Sequence, residues 1–140
     1  MPGRLVLLAF AVWTVLIWAG RVDNVVGDPD LSTGGQVARL VLAVSFIVLG
    51  VVVGVLALRN RPLTREGRAL VAVAVGWTIA VWLVRGGQIV LGDHSAAFIA
   101  VHLVLAVLST GLALATARVL RRPPLPFGHA GGQAASAARR

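Results

Sequence analysis

The stretch WTVLIWAGRVDNVVGD, from Trp13 to Asp28, recurs later in the chain as WTIAVWLVRGGQIVLGD, from Trp77 to Asp93. The resemblance continues beyond these stretches, because RLVLAV is matched by HLVLAV and LRNRPL by LRRPPL, 63 and 62 residues further along. A self-match at a nearly fixed spacing is the signature of an internal repeat. We therefore predict that residues 3–63 and 67–125 are two copies of one structural unit.

The composition predicts a membrane protein. Of the 140 residues, 58% are hydrophobic and 13% are charged, whereas soluble proteins average about 45–50% and about 25%. About 20 apolar residues cross the hydrocarbon core of a bilayer, and arginines that flank the shorter apolar runs can extend to its surface. We predict an all-α fold with four transmembrane helices; a soluble bundle is the less favoured alternative. The apolar runs are Leu5–Gly20, Val37–Leu58, Ala69–Val84 and Ala96–Ala117.

The repeat also predicts how the helices are arranged. Each copy contains two apolar runs and would cross the membrane twice, so that both copies keep the same orientation. Parallel repeats of this kind are related by an axis along the membrane normal. The predicted architecture is therefore two tandem helical hairpins related by a pseudo-two-fold axis.

The distribution of charge predicts the orientation of the chain. Ten of the thirteen arginines lie near the N-terminus, in the middle loop or near the C-terminus, whereas all four aspartates lie in the other two loops. Arginine-rich segments are retained in the cytoplasm, so both termini are predicted to be cytoplasmic in a bacterial plasma membrane. The net charge of +8 is thus explained by topology and not by a nucleic-acid partner. Residues 126–140 are rich in Ala and Gly, which predicts a disordered cytoplasmic tail.

Two sets of residues are predicted to organise the helices. The first is a stripe with i, i+4, i+7 spacing that recurs in both copies and ends in an arginine; its two tryptophans are expected at the headgroup level of the bilayer. The second is a set of small residues four apart, which allow close helix packing. The stripe contains Thr14, Trp18, Thr78 and Trp82, and the packing set contains Gly50, Gly54, Gly111, Ala113, Ala115 and Ala117. Thr33 and Gln36 are expected to form a capping box at the start of the second helix.

A cluster of charged residues is predicted at the outer end of the bundle. Arg39 and His102 occupy equivalent positions of the two copies, inside their spans, where an ionisable group needs a partner or water. Ion pairs with the loop aspartates are the preferred interpretation, and an anion or proton site is the alternative. A metal shared by His94 and His102 is disfavoured, because eight residues of helix separate them by roughly 12 Å. The predicted cluster comprises Arg21, Asp28, Arg39, Arg85, Asp93, His94 and His102.

The sequence offers little for catalysis. It has no cysteine, its one glutamate lies in the basic middle loop, and it has no phosphate-binding glycine motif. We expect no enzymatic activity, no cofactor and no metal. The first functional hypothesis is an accessory or assembly subunit in the lipid bilayer, as a homo-oligomer or with a larger membrane protein; the alternative is a small transporter or channel that uses the outer cluster. Transport would be favoured if the span hydroxyls converge on one cavity, namely those of Thr14, Ser45, Thr78, Ser109 and Thr110.

Overall fold

A computed structural model describes residues 2–59 and 61–121, and the predicted tail at 126–140 lies outside them. The described chain is all-helical, which confirms the prediction of four helices, each long and apolar enough to cross a membrane. The helices extend beyond the apolar runs because polar residues at their ends, such as Arg21 and Asp23, continue the helical backbone. The elements are α1 (Pro2–Val26), α2 (Thr33–Leu58), α3 (Arg65–Leu91) and α4 (Ala96–Arg121).

The four helices form an antiparallel ring in which each helix packs against its two neighbours, α1 on α2 and α4, and α3 on α2 and α4. Contacts along α1 show the antiparallel order, since Trp13 meets Ser109 in α4 and Gly3 meets Val119 near the end of α4. We call the end with segments 27–32 and 92–95 the aspartate end. The opposite end, with the start of α1 and residues 61–64, is the terminal end.

Side chains that precede the helices fix where they begin. The hydroxyl of Ser32 accepts a hydrogen bond from the amide of Gly35 at 3.2 Å, and Thr64 does the same for Gly67 at 3.2 Å. The capping box expected at Thr33 is therefore wrong by one residue, because Thr33 is already helical. The Gln36 amide instead donates to the carbonyl oxygen of Val25 at 3.3 Å, which joins α2 to the end of α1.

The core divides along the length of the bundle. The terminal half is filled by a continuous apolar cluster, and the aspartate half by a smaller one around Trp18, Ala43 and Phe46. The buried positions of α2 recur at alternating spacings of three and four, as they do in coiled-coil packing. The larger cluster consists of Leu7, Phe10, Ala11, Val53, Ala57, Val71, Ala74, Val75 and Ala113.

The small residues of the packing set divide between the core and the surface. Gly50 is buried against α1, where a Cβ would lie 3.3 Å from the carbonyl oxygen of Ala11. Gly54 faces the same residue, and Ala113 is fully buried. Ala117 packs against the larger cluster and Ala115 is half-buried. Gly111 lies on the exposed side of α4, and no described atom lies within 4 Å of the position that its Cβ would take, so it makes no close helix contact here.

The outside of the bundle is apolar. Large hydrophobic side chains are exposed on every helix, and α4 is the least covered of the four. Soluble monomers rarely expose contiguous apolar surface of more than a few hundred Å². This exterior therefore suits contact with lipid or with other apolar protein surfaces.

Candidate functional site

A cavity of about 600 Å³ opens in the aspartate half of the bundle and is lined by residues from all four helices and the α3–α4 connection. It brings together five residues of the predicted outer cluster, whereas Asp28 and Asp93 do not line it. The polar lining residues are Arg21, Asn24, Arg39, Arg85, Gln88, His94 and His102. The lining of the cavity is therefore basic, since it contains the three arginines and two histidines of the predicted cluster and neither of its aspartates.

Equivalent positions of the two sequence copies face this cavity together. Trp18 and Trp82 both line it, as do Arg21 and Arg85. Arg39 of α2 is matched by His102 of α4, which differs from it in chemistry but not in position. Both of the similar sequence stretches therefore contribute to the lining of the cavity.

Positive charge dominates the electrostatics of the cavity. Arg21 is half-buried and is repelled by Arg85 and Arg39, while Asp28 supplies a weaker attraction. Arg85 is also half-buried and repelled by Arg39. Asp28 instead accepts a hydrogen bond from the backbone amide of Asp30 at 3.1 Å. In the described part of the chain, no ion pair joins these arginines to a carboxylate, and the attraction between Arg21 and Asp28 is weaker than the repulsion among the arginines.

The two histidines are separated by an aromatic ring. Phe98 lies between them, with ring centroids 4.7 Å from His94 and 3.9 Å from His102. Nδ1 of His102 lies 2.9 Å from the carbonyl oxygen of Phe98, which can only accept, so Nδ1 carries the proton and donates. Nε2 of His102 is then the atom that can accept from a ligand while the ring is neutral.

The recurring stripe faces into the bundle. Thr14 and Thr78 are buried, and Trp18 and Trp82 are only 7% and 8% exposed. Both rings therefore lie inside the bundle and not on its outer surface, and the headgroup level expected for them stays a prediction. Trp18 stacks on Phe46 with ring centroids 4.0 Å apart and an angle of 4° between the planes.

The hydroxyls within the helices do not converge on the cavity. Thr78 donates to the carbonyl oxygen of Ala74 at 2.8 Å, and Ser45 to that of Leu42 at 2.7 Å. Ser109 accepts a hydrogen bond from the Trp13 indole at 2.9 Å. The cavity lining includes none of these hydroxyls, nor those of Thr14 and Thr110.

A second, shallower space of about 480 Å³ is a groove between α2 and α3. It shares Arg39, Arg85 and Gln88 with the cavity, and it continues toward the terminal end along Trp77.

Gln88 and its counterpart Asn24 were not identified as site residues from the sequence. Each follows an arginine of the stripe by three residues, which places it on the same helix face.

Part of the chain is similar to a known protein family. Residues 3–68 are similar to the SCO4848-like family, a match that covers 66 of the 140 residues. The matched region spans α1, α2 and the first turn of α3, and it includes Arg21 and Arg39 of the cavity. No curated protein and no solved structure matches the chain.

Proposed function

We propose that this protein is a small, non-enzymatic integral membrane protein that acts as an accessory or assembly subunit of a membrane complex in a bacterial plasma membrane. The length of the four helices and the apolar exterior support membrane insertion. With an even number of antiparallel spans, both termini lie on one side. The arginines around the terminal end support a cytoplasmic location for that side, because arginine-rich segments are retained in the cytoplasm.

The orientation is tested with reporters. A green fluorescent protein fused to the C-terminus is expected to fluoresce, and an alkaline phosphatase at the same place is expected to be inactive, because the former works only inside the cell and the latter only outside. The matched control is a fusion that ends the chain after Asp93, which should give the opposite signals. Active phosphatase at the C-terminus would refute the proposed orientation.

Equivalent contacts support the proposed pseudo-two-fold relation between the hairpins. Gly3 lies against Val119 near the end of α4, and Gly67 lies against Leu56 near the end of α2. In the middle of the bundle, Trp13 meets Ser109 and Trp77 meets Phe46. Both pairs join an odd-numbered helix of one hairpin to an even-numbered helix of the other. A tandem duplication accounts for these pairs, because two copies of one hairpin would form the same helix–helix contact at two places in the bundle.

The accessory role rests mainly on the closed terminal half of the bundle. The apolar cluster between Leu7 and Ala113 fills this half from side to side, and the nearby hydroxyls of Thr78 and Ser109 are used within the bundle. A permeation path needs polar groups or water along its length. The cavity at the aspartate end is therefore closed at its inner end by the packed core of the terminal half.

The accessory role is tested by isolating the tagged full chain gently from its own membranes and measuring the mass of the intact assembly. A larger membrane protein is expected at a fixed stoichiometry. A tagged four-helix protein of unrelated sequence, isolated in parallel, controls for adventitious capture. A chain that is isolated alone would contradict the proposal.

Transport is the second candidate, and the excess of positive charge in the cavity favours it. Three arginines with little opposing charge would attract an anion from the aspartate end. A pore would then have to form between copies. In the same mass measurement, a self-contained oligomer that retains a small anion would favour transport over the accessory role.

A further inference from the structure

The groove between α2 and α3 combines a basic end with an apolar floor. Arg39, Arg85 and Gln88 lie toward the aspartate end, and the groove continues along Trp77, Ala80 and Val84. We propose that this groove binds an anionic phospholipid, with the phosphate between Arg39 and Arg85 and one acyl chain along α3. The inference rests on the proposed membrane insertion, but it does not depend on the accessory role.

The two arginines suit a phosphate because each lacks a direct carboxylate partner in the described chain. Both are half-buried, and Arg39 repels Arg85. A phosphate between them would remove that repulsion and accept charge-assisted hydrogen bonds, which guanidinium groups make in bidentate form. Charge complementarity therefore favours an anionic headgroup over a zwitterionic one.

The depth of the arginines fits a lipid headgroup. Arg39 lies six residues after the start of α2, and Arg85 lies six residues before the end of α3. Both are thus about 9 Å along the helix axis from the aspartate end. The polar layer on each side of a bilayer is about 5–8 Å thick, so extended guanidinium groups reach its phosphates from the edge of the hydrocarbon.

The apolar part of the groove has room for an acyl chain. Trp77 is 41% exposed, and Ala80 and Val84 are also exposed on the same side of α3. Trp77 lies about 12 Å along the helix from Arg85. A chain whose phosphate lies at Arg85 would therefore pass the small side chain of Ala80 and contact the Trp77 indole.

The opposite side of the bundle shows why the α2–α3 groove is the selective one. Between α1 and α4, the counterpart of Arg39 is His102, whose Nδ1 lies 2.9 Å from the carbonyl oxygen of Phe98. The counterpart of Trp77 is Trp13, which is bonded to Ser109. Phe46, the residue that Trp77 meets, cannot accept such a bond. Of these two sides, as far as the chain is described, the α2–α3 side is therefore the one that combines two permanent charges with an open indole.

Quenching of Trp77 by brominated lipids tests the proposal. The full chain is placed in phosphatidylcholine vesicles that contain a minority of phosphatidylglycerol or phosphatidylcholine with brominated acyl chains. Trp77→Phe is measured in parallel, so that the difference isolates the emission of Trp77. We expect brominated phosphatidylglycerol to bind about tenfold more tightly than its zwitterionic counterpart, because both lipids offer a phosphate but only the choline headgroup adds a cation that the two arginines repel.

Three variants check which groups carry the preference. Arg39→Gln combined with Arg85→Gln is expected to bring the two brominated lipids to equal quenching. Arg61→Gln, at the terminal end, is the matched control and should keep the preference. Ala80→Leu leaves both arginines and fills the groove, so reduced quenching by phosphatidylglycerol is expected even if the double variant fails to fold.

The remaining outcomes would overturn the proposal. Equal quenching of the wild-type chain by both lipids would show insertion without selectivity, which removes this inference and leaves the proposed membrane location intact. Loss of the preference when inorganic phosphate is added would assign the site to a free anion instead of a lipid. Absence of quenching by either lipid would remove both the inference and the proposed insertion.

Discussion

Gly50→Leu is expected to destabilise the protein by about 2–3 kcal/mol, the upper part of the range of about 1–3 kcal/mol that overpacking typically costs. A Cβ at this position would lie 2.9 Å from Val15 Cγ2 and 3.3 Å from the carbonyl oxygen of Ala11. The second contact is with backbone, which cannot rotate away. α1 and α2 would therefore have to separate along the interface that forms the first hairpin.

Gly111→Leu is the matched control. The same atoms are added within the middle of a helix, so that the gain in helix propensity is similar in both variants. Gly111 is exposed, and no described atom would meet its Cβ, so no loss of stability is expected and the higher helix propensity of Leu should add up to about 0.8 kcal/mol. Gly54→Ala should also be tolerated, because its Cβ would lie 3.5 Å from that of Ala11, an ordinary contact.

The measurement is reversible unfolding of each variant in detergent micelles, followed by helicity. Equal loss of stability in Gly50→Leu and Gly111→Leu would contradict the packing described for α1 and α2. A graded series through Gly50→Ala is informative as well. Ala113, the counterpart of Gly50, is accommodated fully buried in α4, which indicates that the first hairpin is the more tightly packed of the two.

The number and type of the helices could be predicted from the sequence, because four long apolar runs admit few other structures. The shared face of Thr14, Trp18 and Arg21 could also be predicted, since helical spacing alone determines it. The sequence does not predict that this face points toward the interior of the bundle. In a chain so uniformly apolar, lipid and protein interior are similar solvents, so the pattern of hydrophobic residues does not say which tryptophan points inward.

The composition of the site was predictable only in part. Arg21, Arg39 and Arg85 were placed together by repeat equivalence and by their depth in the helices. Their lack of carboxylate partners was not predictable, because Asp28 and Asp93 lie at helix ends and in connections, where residue spacing does not fix direction. The sequence also does not determine which residue caps α2, since Ser32 and Thr33 are both suitable capping residues.

Trp18→Ala is expected to destabilise the protein by about 2–3 kcal/mol. Removing a buried Trp from a water-soluble core costs about 3–5 kcal/mol. Part of that cost is absent where the separated helix remains in lipid, because the ring is then still in an apolar solvent. What remains is the loss of close contacts with Phe46 and Ala43, including the flat stack at 4.0 Å, and the enlargement of a cavity that Trp18 already lines.

Trp77→Ala removes the same atoms and serves as the matched comparison. Its ring is 41% exposed and lies 6.2 Å from that of Phe46 at an angle of 31°, so a cost below about 1 kcal/mol is expected from its few packed contacts. A double-mutant cycle between Trp18→Ala and Phe46→Ala should give a coupling of about 0.5–1.5 kcal/mol. If Trp77→Ala proved the more damaging variant, the inward rotation of the stripe would be wrong. Trp18 and Trp82 would then lie on the outer surface of the bundle, and the two arginines that follow them would lie outside the cavity.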